Sequence, residues 1–228
     1  MHFIYLFCRM LILNIDTAID KGSFCISNNC DILFFEINEK RNEQAGWLHN
    51  AVNNALQITG ITAADIDAIA VSNGPGSYTG LRIGLATAKG FCYALKKPLI
   101  CINTLQVMAK AVQEEAIDLV CPMIDARRME VFAAFYDKEL HIFKEPFAAE
   151  LSEDSFSDIL EKRHVTFTGN GSTKFQPLAA KNNAGFINKN IDARDMVALS
   201  VHFFDKKIFA DVAYCEPYYV KDVYIVRK

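Results

Sequence analysis

The sequence lacks a strong excess of charge of either sign. Its formal net charge is −3 over 228 residues, and its isoelectric point is near 6.0. Proteins that bind nucleic acid with their whole surface are usually basic, because lysine and arginine are attracted to the phosphate backbone. The composition therefore argues against such binding and leaves a local basic patch, or the help of a partner, as the route to RNA.

Paired cysteines and long apolar runs are also missing. Seven cysteines are scattered through mostly apolar stretches without a C-x-x-C motif, which is typical of reduced, buried thiols. The apolar residues 1–15 lack a basic start and a small-residue cleavage site, and no run reaches the roughly 20 residues that span a bilayer. We expect a cytoplasmic protein without a membrane segment.

The most informative motif is a glycine-rich loop, SNGPGSYTGLRIG, which occupies residues 72–84 after an apolar strand at 66–71. No lysine follows Gly80, so a Walker phosphate loop is excluded. Three residues rather than two separate Gly76 from Gly80, which excludes the dinucleotide fingerprint. Two interpretations remain: an anion or backbone contact at the N-terminus of the next helix, or a tight turn without a ligand.

Sequence motifs along the whole chain are more informative about its family than the glycine spacing of this loop. They extend from Met10 to the end of the chain, and they include ILNIDTA at 12–18, His49, ATAKG at 86–90, IDARR at 124–128, GNG at 169–171 and EPYYV at 216–220. Together with the glycine-rich loop they resemble the TsaB family, also called YeaZ. Since that pattern begins at Met10, we expect residues 1–9 to be an N-terminal extension, which mass spectrometry of the native N-terminus can check.

The chain contains an internal repeat. Residues 11–27 match residues 120–135, and each copy is predicted to form a strand, an acidic turn and a returning strand. The acids that end the first strands, Asp16 and Asp125, are separated by nearly half the chain. This separation predicts a duplicated domain.

A buried strand that ends in an acid, followed by a turn and a second strand, is typical of the actin, sugar kinase and Hsp70 superfamily. There, paired hairpins bind nucleotide phosphates and magnesium. The resemblance to TsaB implies the same α/β fold, a two-lobed actin-like (ribonuclease H-like) ATPase fold with duplicated mixed sheets flanked by helices. We expect the first lobe at 10–103 and the second lobe, with a C-terminal tail, at 104–228.

The hairpins are poorly suited to holding a nucleotide. The glycine of the first comes late, at Gly22, and the second has no glycine but carries Arg127 and Arg128. These arginines would either fill the phosphate volume in a salt-bridged turn or bind an anion themselves. The candidate vestigial nucleotide site comprises Asp16, Thr17, Gly74, Gly76, Asp125, Gly169 and Gly171.

The motifs of a metal centre and of a serine nucleophile are incomplete. Catalytic relatives of TsaB carry two histidines on one helical face with three residues between them, whereas here His49 is followed by Asn53 in the second place. One imidazole is a weak metal site. Ser77 follows Gly76 directly, so the G-x-S-x-G elbow is absent. We expect no catalytic residue, no metal and no cofactor.

Two predicted helices, at about 45–59 and 79–96, form a candidate docking surface. In the second helix, small residues recur every four positions in two series, Gly80-Gly84-Ala88 and Ala86-Gly90-Ala94, which lets another helix approach closely. The pattern alone fits packing on the protein's own sheet equally well. In TsaB proteins the corresponding helices join the catalytic paralogue TsaD or a second TsaB, so the resemblance favours docking.

The predicted interface residues of these helices are Trp47, Leu48, Ala51, Val52, Ala55, Gly80, Leu81, Arg82, Gly84, Leu85, Ala88 and Phe91. A large residue in place of Gly84 or Gly90 is expected to abolish partner binding and to leave the fold intact.

The resemblance implies a non-catalytic scaffold and activator of the machinery that installs threonylcarbamoyl on N6 of adenosine 37 in tRNA. TsaD would perform the transfer, the ATPase TsaE would bind near the junction, and tRNA would be contacted through the complex. Alone, the chain would form a homodimer. The alternative is an enzyme of the same superfamily, either an ATP-dependent transferase or kinase, or a metallopeptidase of the M22 glycoprotease type.

Overall fold

The computed structural model describes residues 9–40, 44–179 and 183–221, and within these ranges the chain forms two five-stranded sheets. The strands of the first sheet are β1 (Leu11–Asp16), β2 (Gly22–Asn28), β3 (Asp31–Asn38), β4 (Ala68–Ser72) and β5 (Leu99–Ile102). The strands of the second are β6 (Leu119–Asp125), β7 (Glu130–Asp137), β8 (Ile142–Glu150), β9 (Val165–Thr168) and β10 (Ala184–Ile187).

Both sheets have the same topology. The first has the order β3-β2-β1-β4-β5 and the second the order β8-β7-β6-β9-β10. In each sheet the central strand pairs antiparallel with the strand that follows it and parallel with the fourth strand. The predicted duplication and the two-lobed α/β fold are therefore confirmed.

Six α-helices lie in the same described ranges. They are α1 (Gln44–Thr59), α2 (Tyr78–Leu95), α3 (Thr104–Ala111), α4 (Ser157–Leu160), α5 (Ser172–Phe175) and α6 (Val197–Asp205). Short 3-10 turns occupy Ala63–Asp65, Gln113–Glu115 and Ala193–Met196. Within the part of the chain that the structure describes, no helix combines the length and the apolar character needed to cross a membrane.

Strand β1 is buried along its whole length because helices cover both faces of the first sheet. Leu11, Leu13 and Ile15 belong to a core shared with α1 and α2. Ile12 belongs to a second core, on the opposite face, with residues of the C-terminal helical segment. Alternate side chains of a strand point to opposite faces of its sheet, so a strand covered on both sides is mostly apolar, and Asn14 and Asp16 are the two buried polar exceptions in β1.

The helix that follows the last strand of each sheet packs on the other lobe. Helix α3 follows β5 but packs on β6 and β7, whereas α6 follows β10 and packs on β1 and β5. Ala210 then forms an antiparallel bridge with Leu99 at the edge of β5. The predicted lobe boundary needs correction, because the C-terminal segment that was assigned to the second lobe covers the apolar face of the first sheet.

Candidate functional site

The turns of the two homologous hairpins face each other across a cleft between the lobes. Residues 18–20 after β1 and residues 124–127 at the end of β6 line it, with residues 76–79 of the glycine-rich loop. The cleft has two adjacent recesses of about 180 Å³ and 380 Å³, which share Asn170. Only the larger volume lies in the range of about 300–1,000 Å³ that is common for small-molecule sites.

Asp16 ends β1 at the wall of the smaller recess and is only 2% exposed. Its Oδ1 accepts hydrogen bonds from the Ser72 hydroxyl and from the backbone N–H of Ala18, the latter at 3.0 Å. Burial raises the pKa of Asp16 to about 6; the two hydrogen bonds oppose this shift, while Asp192 and Asp195 add to it. A buried carboxyl that titrates near neutral pH is a candidate proton acceptor or cation ligand.

Thr17 joins the first hairpin to helix α2 and does not line the cleft. Its Oγ1 donates a hydrogen bond of 2.7 Å to the carbonyl oxygen of Gly80. A Cβ atom at Gly80 or Gly84 would collide with Thr17, and one at Gly76 would collide with the carbonyl group of Ala18. These glycines therefore let the loop and the first turns of α2 pack directly on the hairpin.

The C-terminal segment covers the start of the glycine-rich loop. The N–H of Tyr218 donates to the carbonyl oxygen of Asn73 at 2.8 Å. Gly74 has a φ of +112° and lies so close to the carbonyl oxygen of Tyr218 that a Cβ would collide with it. Ser77 caps α2 by accepting from the N–H of Gly80 at 3.3 Å. The structure thus supports the tight-turn interpretation, because contacts within the chain account for the glycines.

The second hairpin contains a salt bridge, in line with one of the two alternatives that the sequence leaves open, but its cation is Lys174 and not Arg127 or Arg128. Asp125 is exposed, and its Oδ1 lies 2.5 Å from the Nζ of Lys174 and 2.6 Å from the backbone nitrogen of Arg127. Burial acts to raise the pKa of Asp125, but these two contacts outweigh it, so the pKa lies below its usual value. The carboxylate is already neutralised by a lysine of its own chain.

Arg127 and Arg128 form the tip of this hairpin, with φ angles of 72° and 47°. Positive φ is uncommon for residues other than glycine and occurs mostly at asparagine, aspartate or histidine. Both arginine side chains are exposed, and Arg127 lines the larger recess. The arginines therefore occupy the place where a phosphate-binding hairpin would bring its backbone to a ligand.

The residues of the candidate vestigial nucleotide site are only partly brought together. Asp16, Gly76, Asp125 and Gly169 line the cleft. The other three are packed behind its walls: Thr17 against α2, Gly74 against Tyr218, and Gly171 against Met123. Sequence reasoning missed several lining residues, among them Met108, Lys189, Asn190 and Asp192, because they approach the cleft from elements distant in the sequence.

The predicted interface residues need a larger correction. Nine of the twelve are buried within the protein itself, namely Leu48, Ala51, Val52, Ala55, Gly80, Leu81, Gly84, Leu85 and Ala88. Six of them belong to the core of the first sheet, and Gly80 and Gly84 lie against Thr17 of the first hairpin, as in the alternative interpretation. Only Trp47, Arg82 and Phe91 reach the surface. The series Gly80-Gly84-Ala88 faces inward, whereas Ala86, Gly90 and Ala94 are exposed.

Each of the three predicted interface residues that reach the surface contacts another side chain of the same chain. The Nε1 of Trp47 donates to Glu36 at 2.8 Å, and the Arg82 guanidinium lies 4.1 Å from the centre of the Tyr78 ring. Phe91 stacks on His49 with ring centres 5.7 Å apart. His49 is therefore part of the outer surface of α1 and α2 and does not line either recess of the cleft.

Among the residues that the structure describes, one group has the geometry of potential metal ligands, formed by Asp137, Glu139 and His141 in the turn after β7. The turn is largely exposed, and the Oδ1 of Asp137 accepts from the backbone N–H groups of Glu139 and His141. These hydrogen bonds explain the arrangement as a solvated turn.

Comparisons with known proteins identify the family. A family model described as "TsaD: tRNA N6-adenosine threonylcarbamoyltransferase" matches residues 41–226. The chain is 35% identical over 132 residues to the "tRNA threonylcarbamoyladenosine biosynthesis protein TsaB" of Escherichia coli K12, an alignment that covers 57% of this chain and 56% of that protein. It is 36% identical over 86 residues to the protein of the same name from Bacillus subtilis 168, covering 38% of this chain and 37% of that protein. The alignments thus span about half, or less, of these curated relatives.

A solved structure from Pseudomonas aeruginosa, described as an uncharacterized protein with similarity to peptidase YEAZ, has the same fold. Its TM-score is 0.82 at 20% identity, and the match covers 93% of this chain and 100% of that one. At this identity the likeness establishes the fold, while the family follows from the sequence matches. The chain belongs to the TsaD family, and within it to the TsaB/YeaZ proteins that its own motifs resemble.

Proposed function

We propose that the chain is a non-catalytic scaffold and activator subunit in the biosynthesis of threonylcarbamoyladenosine at position 37 of tRNA. It acts in the cytoplasm by docking on a TsaD-like catalytic subunit, and a TsaE-like ATPase binds the assembled pair. Transfer RNA is contacted through the complex, and in isolation the chain forms a homodimer with the same surface. The names of the relatives in E. coli and B. subtilis support the pathway.

The observation that carries the docking proposal is the scarcity of charge on a surface-exposed helix pair. Helix α1 contains no aspartate, glutamate, lysine or arginine, and α2 contains only Arg82 and Lys89. In the chain as a whole, 22% of the residues are charged. Surfaces that face only water usually carry charges, whereas the cores of protein interfaces are depleted of them.

The two charges of α2 are already engaged within the chain. Arg82 lies over the Tyr78 ring, and the Nζ of Lys89 donates to the carbonyl oxygens of Ala213 and Cys215 at 3.2 Å and 3.0 Å. A partner that covers this surface would therefore find the Lys89 ammonium already paired, whereas the exposed Arg82 guanidinium would need a compensating contact from the partner.

The shape of the surface fits a helical partner. Ala86, Gly90 and Ala94 form an exposed stripe of small residues, and a Cβ at Gly90 would meet nothing within 4 Å. Tyr93 is 82% exposed and Ile58 of α1 is 72% exposed. Small side chains allow a second helix to approach closely, and aromatic residues often anchor interfaces. We define the docking face as the outer surface of α1 and α2 around these residues.

The cleft supports the non-catalytic part of the proposal. Arginines occupy the tip of the second hairpin, and Lys174 neutralises Asp125. The observation that favours a rival enzymatic function is Asp16, a buried carboxyl with a pKa of about 6 at the wall of the smaller recess. Stoichiometric iron or zinc in the purified chain, or ATP turnover by it, would favour that rival.

The substitution Gly90→Leu tests the docking face. It places a leucine side chain in the space that a partner helix would occupy, and we expect affinity for a purified TsaD-like subunit from the same organism to fall at least about tenfold. Titration calorimetry measures the loss.

The matched control is Ala198→Leu, which adds the same side chain to an exposed position of α6, on the opposite face of the first sheet. This variant should bind as the unmodified chain does. Equal affinity of the Gly90→Leu and Ala198→Leu variants would show that the partner binds elsewhere.

A further inference from the structure

Two cysteines that are 114 residues apart in the sequence meet beside β5. The sulfur atoms of Cys101 and Cys215 lie 3.1 Å apart, and both side chains are partly exposed. We propose that this pair is a redox modification site, at which a reversible intramolecular disulfide ties the C-terminal segment to the first sheet. The proposal does not depend on the partner or on the reaction of the complex.

Both sulfur atoms are held in place by regular structure. Cys101 lies within β5. On the other side, the N–H of Ala210 donates to the carbonyl oxygen of Leu99 at 2.8 Å, and the N–H of Cys215 donates to that of Asp211 at 2.8 Å. Lys89 also binds the carbonyl oxygen of Cys215. Groups fixed in this way react at a high effective concentration, and the chain need not rearrange to bring them together.

The other described cysteines lack such an arrangement. Cys25, Cys92 and Cys121 are buried, and the sulfur of Cys25 donates to the carbonyl oxygen of Ala193 at 3.3 Å. Cys30 is exposed, so it serves as an internal reference for simple adduct formation with an external disulfide.

The oxidant we name is a low-molecular-weight disulfide such as oxidised glutathione. Burial raises the pKa of Cys101 far above its ordinary value, so its thiolate is scarce, and we assign the first attack to Cys215. The Cys215 thiolate attacks one sulfur of glutathione disulfide, forms a mixed disulfide and releases one glutathione thiolate. The Cys101 thiolate then attacks the Cys215 sulfur and displaces the second glutathione. Two cysteine thiols are oxidised, one glutathione disulfide is reduced to two thiols, and two protons leave the cysteines.

The disulfide would anchor the start of the C-terminal segment 215–221, which crosses from the first lobe to the second. From Cys215 the chain continues to Tyr218, which binds Asn73 beside the glycine-rich loop. It then reaches Lys221, which forms an ion pair with Glu130 of β7. A cross-link between residues so distant in sequence also restricts the unfolded chain strongly, so oxidation should raise thermal stability.

The test incubates the full chain with oxidised glutathione, alkylates the remaining thiols and maps tryptic peptides. Cys101 and Cys215 fall in separate peptides, residues 97–110 and 208–221, each with a single cysteine. We expect a linked pair of these peptides, lighter by two hydrogens than their sum and separated by reduction. The melting temperature should rise by roughly 5 °C or more, and neither Cys101→Ser nor Cys215→Ser should show this rise.

Separate glutathione adducts on the two cysteines, unmodified thiols at both positions, or a cross-link that involves Cys30 or Cys92 would each overturn the proposal. A Cys101–Cys215 cross-link without a higher melting temperature would overturn the tethering role. The Cys30 adduct, which should form in every variant, confirms that the oxidant was active.

Discussion

Replacement of Gly84 by leucine is expected to destabilise the protein by at least about 3 kcal/mol, through overpacking and loss of a buried hydrogen bond. A Cβ at Gly84 would collide with the Oγ1 of Thr17 and contact Val71 at 3.4 Å. Thr17 cannot move aside cheaply, because it is fully buried and bonded to Gly80. This result would correct the sequence-based expectation that a large residue at Gly84 leaves the fold intact.

Gly90→Leu provides the matched comparison within the same helix. Gly90 is exposed with open space around it, and leucine favours the helix over glycine by about 0.5–1 kcal/mol. We therefore expect this variant to be slightly more stable than the unmodified chain. Urea unfolding measures both changes, and equal stabilities of the two variants would contradict the inward and outward assignment of the two small-residue series.

The second large effect is expected at Asp16. Its pKa is about 6 in the folded protein, above the ordinary value of 3.8, so the folded state binds this proton more tightly than the unfolded state does. Stability should therefore fall as the pH rises from about 4 to 6, by up to about 3 kcal/mol. Asp16→Asn cannot ionise and keeps an oxygen acceptor for Ala18, so it should be more stable than the unmodified chain above pH 6.

Urea unfolding of both proteins at several pH values between 4 and 7 tests this expectation. The Asp16→Asn variant should lose the decline between pH 4 and 6, and its advantage should disappear at pH 4. Asp125→Asn is the control, because the pKa of Asp125 is lowered and not raised. The ionised Asp125 therefore stabilises the folded state near neutral pH, and this stabilisation is lost only in acid. If the free energy of unfolding of the Asp16→Asn variant changed with pH as that of the unmodified chain does, ionisation of Asp16 would not be the cause of the decline.

The sequence predicted those parts of the fold that depend on local pattern. The two hairpins around Asp16 and Asp125 follow from apolar strands that end in an acid, and the structure contains both of them. Edge strands were harder to recognise. Strand β8 has exposed or only partly buried side chains along its length, so it lacks the apolar signal of β1.

Other features depend on contacts that no local pattern encodes. A four-residue series looks the same whether it faces inward or outward, which is why Gly84 was placed on the docking face. The segment 152–163 has the composition of one helix, but Phe156 adopts a φ of 62°, so only Ser157–Leu160 is helical. The packing of α6 on the first lobe depends on residues of β1, β4 and β5, which are distant from it in the sequence.

Within the candidate site, the sequence predicted both hairpin acids, but it did not predict that their surroundings differ. Asp16 is buried beside Ser72, and Asp125 is exposed beside Lys174. Ser72 and Lys174 come from other strands and helices, so their effect on each pKa requires the three-dimensional structure. The scarcity of charge in α1 and α2 was readable from the sequence and, together with surface exposure, marks the docking face.

The most direct test of the accessory role is reconstitution of threonylcarbamoyladenosine formation on tRNA from purified subunits, quantified by mass spectrometry of nucleosides. The account predicts product when this chain, a TsaD-like subunit, a TsaE-like ATPase and a source of threonylcarbamoyl-adenylate are combined. It predicts none from this chain alone, a large loss when the chain is omitted, and a comparable loss with Gly90→Leu but not with Ala198→Leu. Product formed by this chain without the TsaD-like subunit, or undiminished product in its absence, would contradict it.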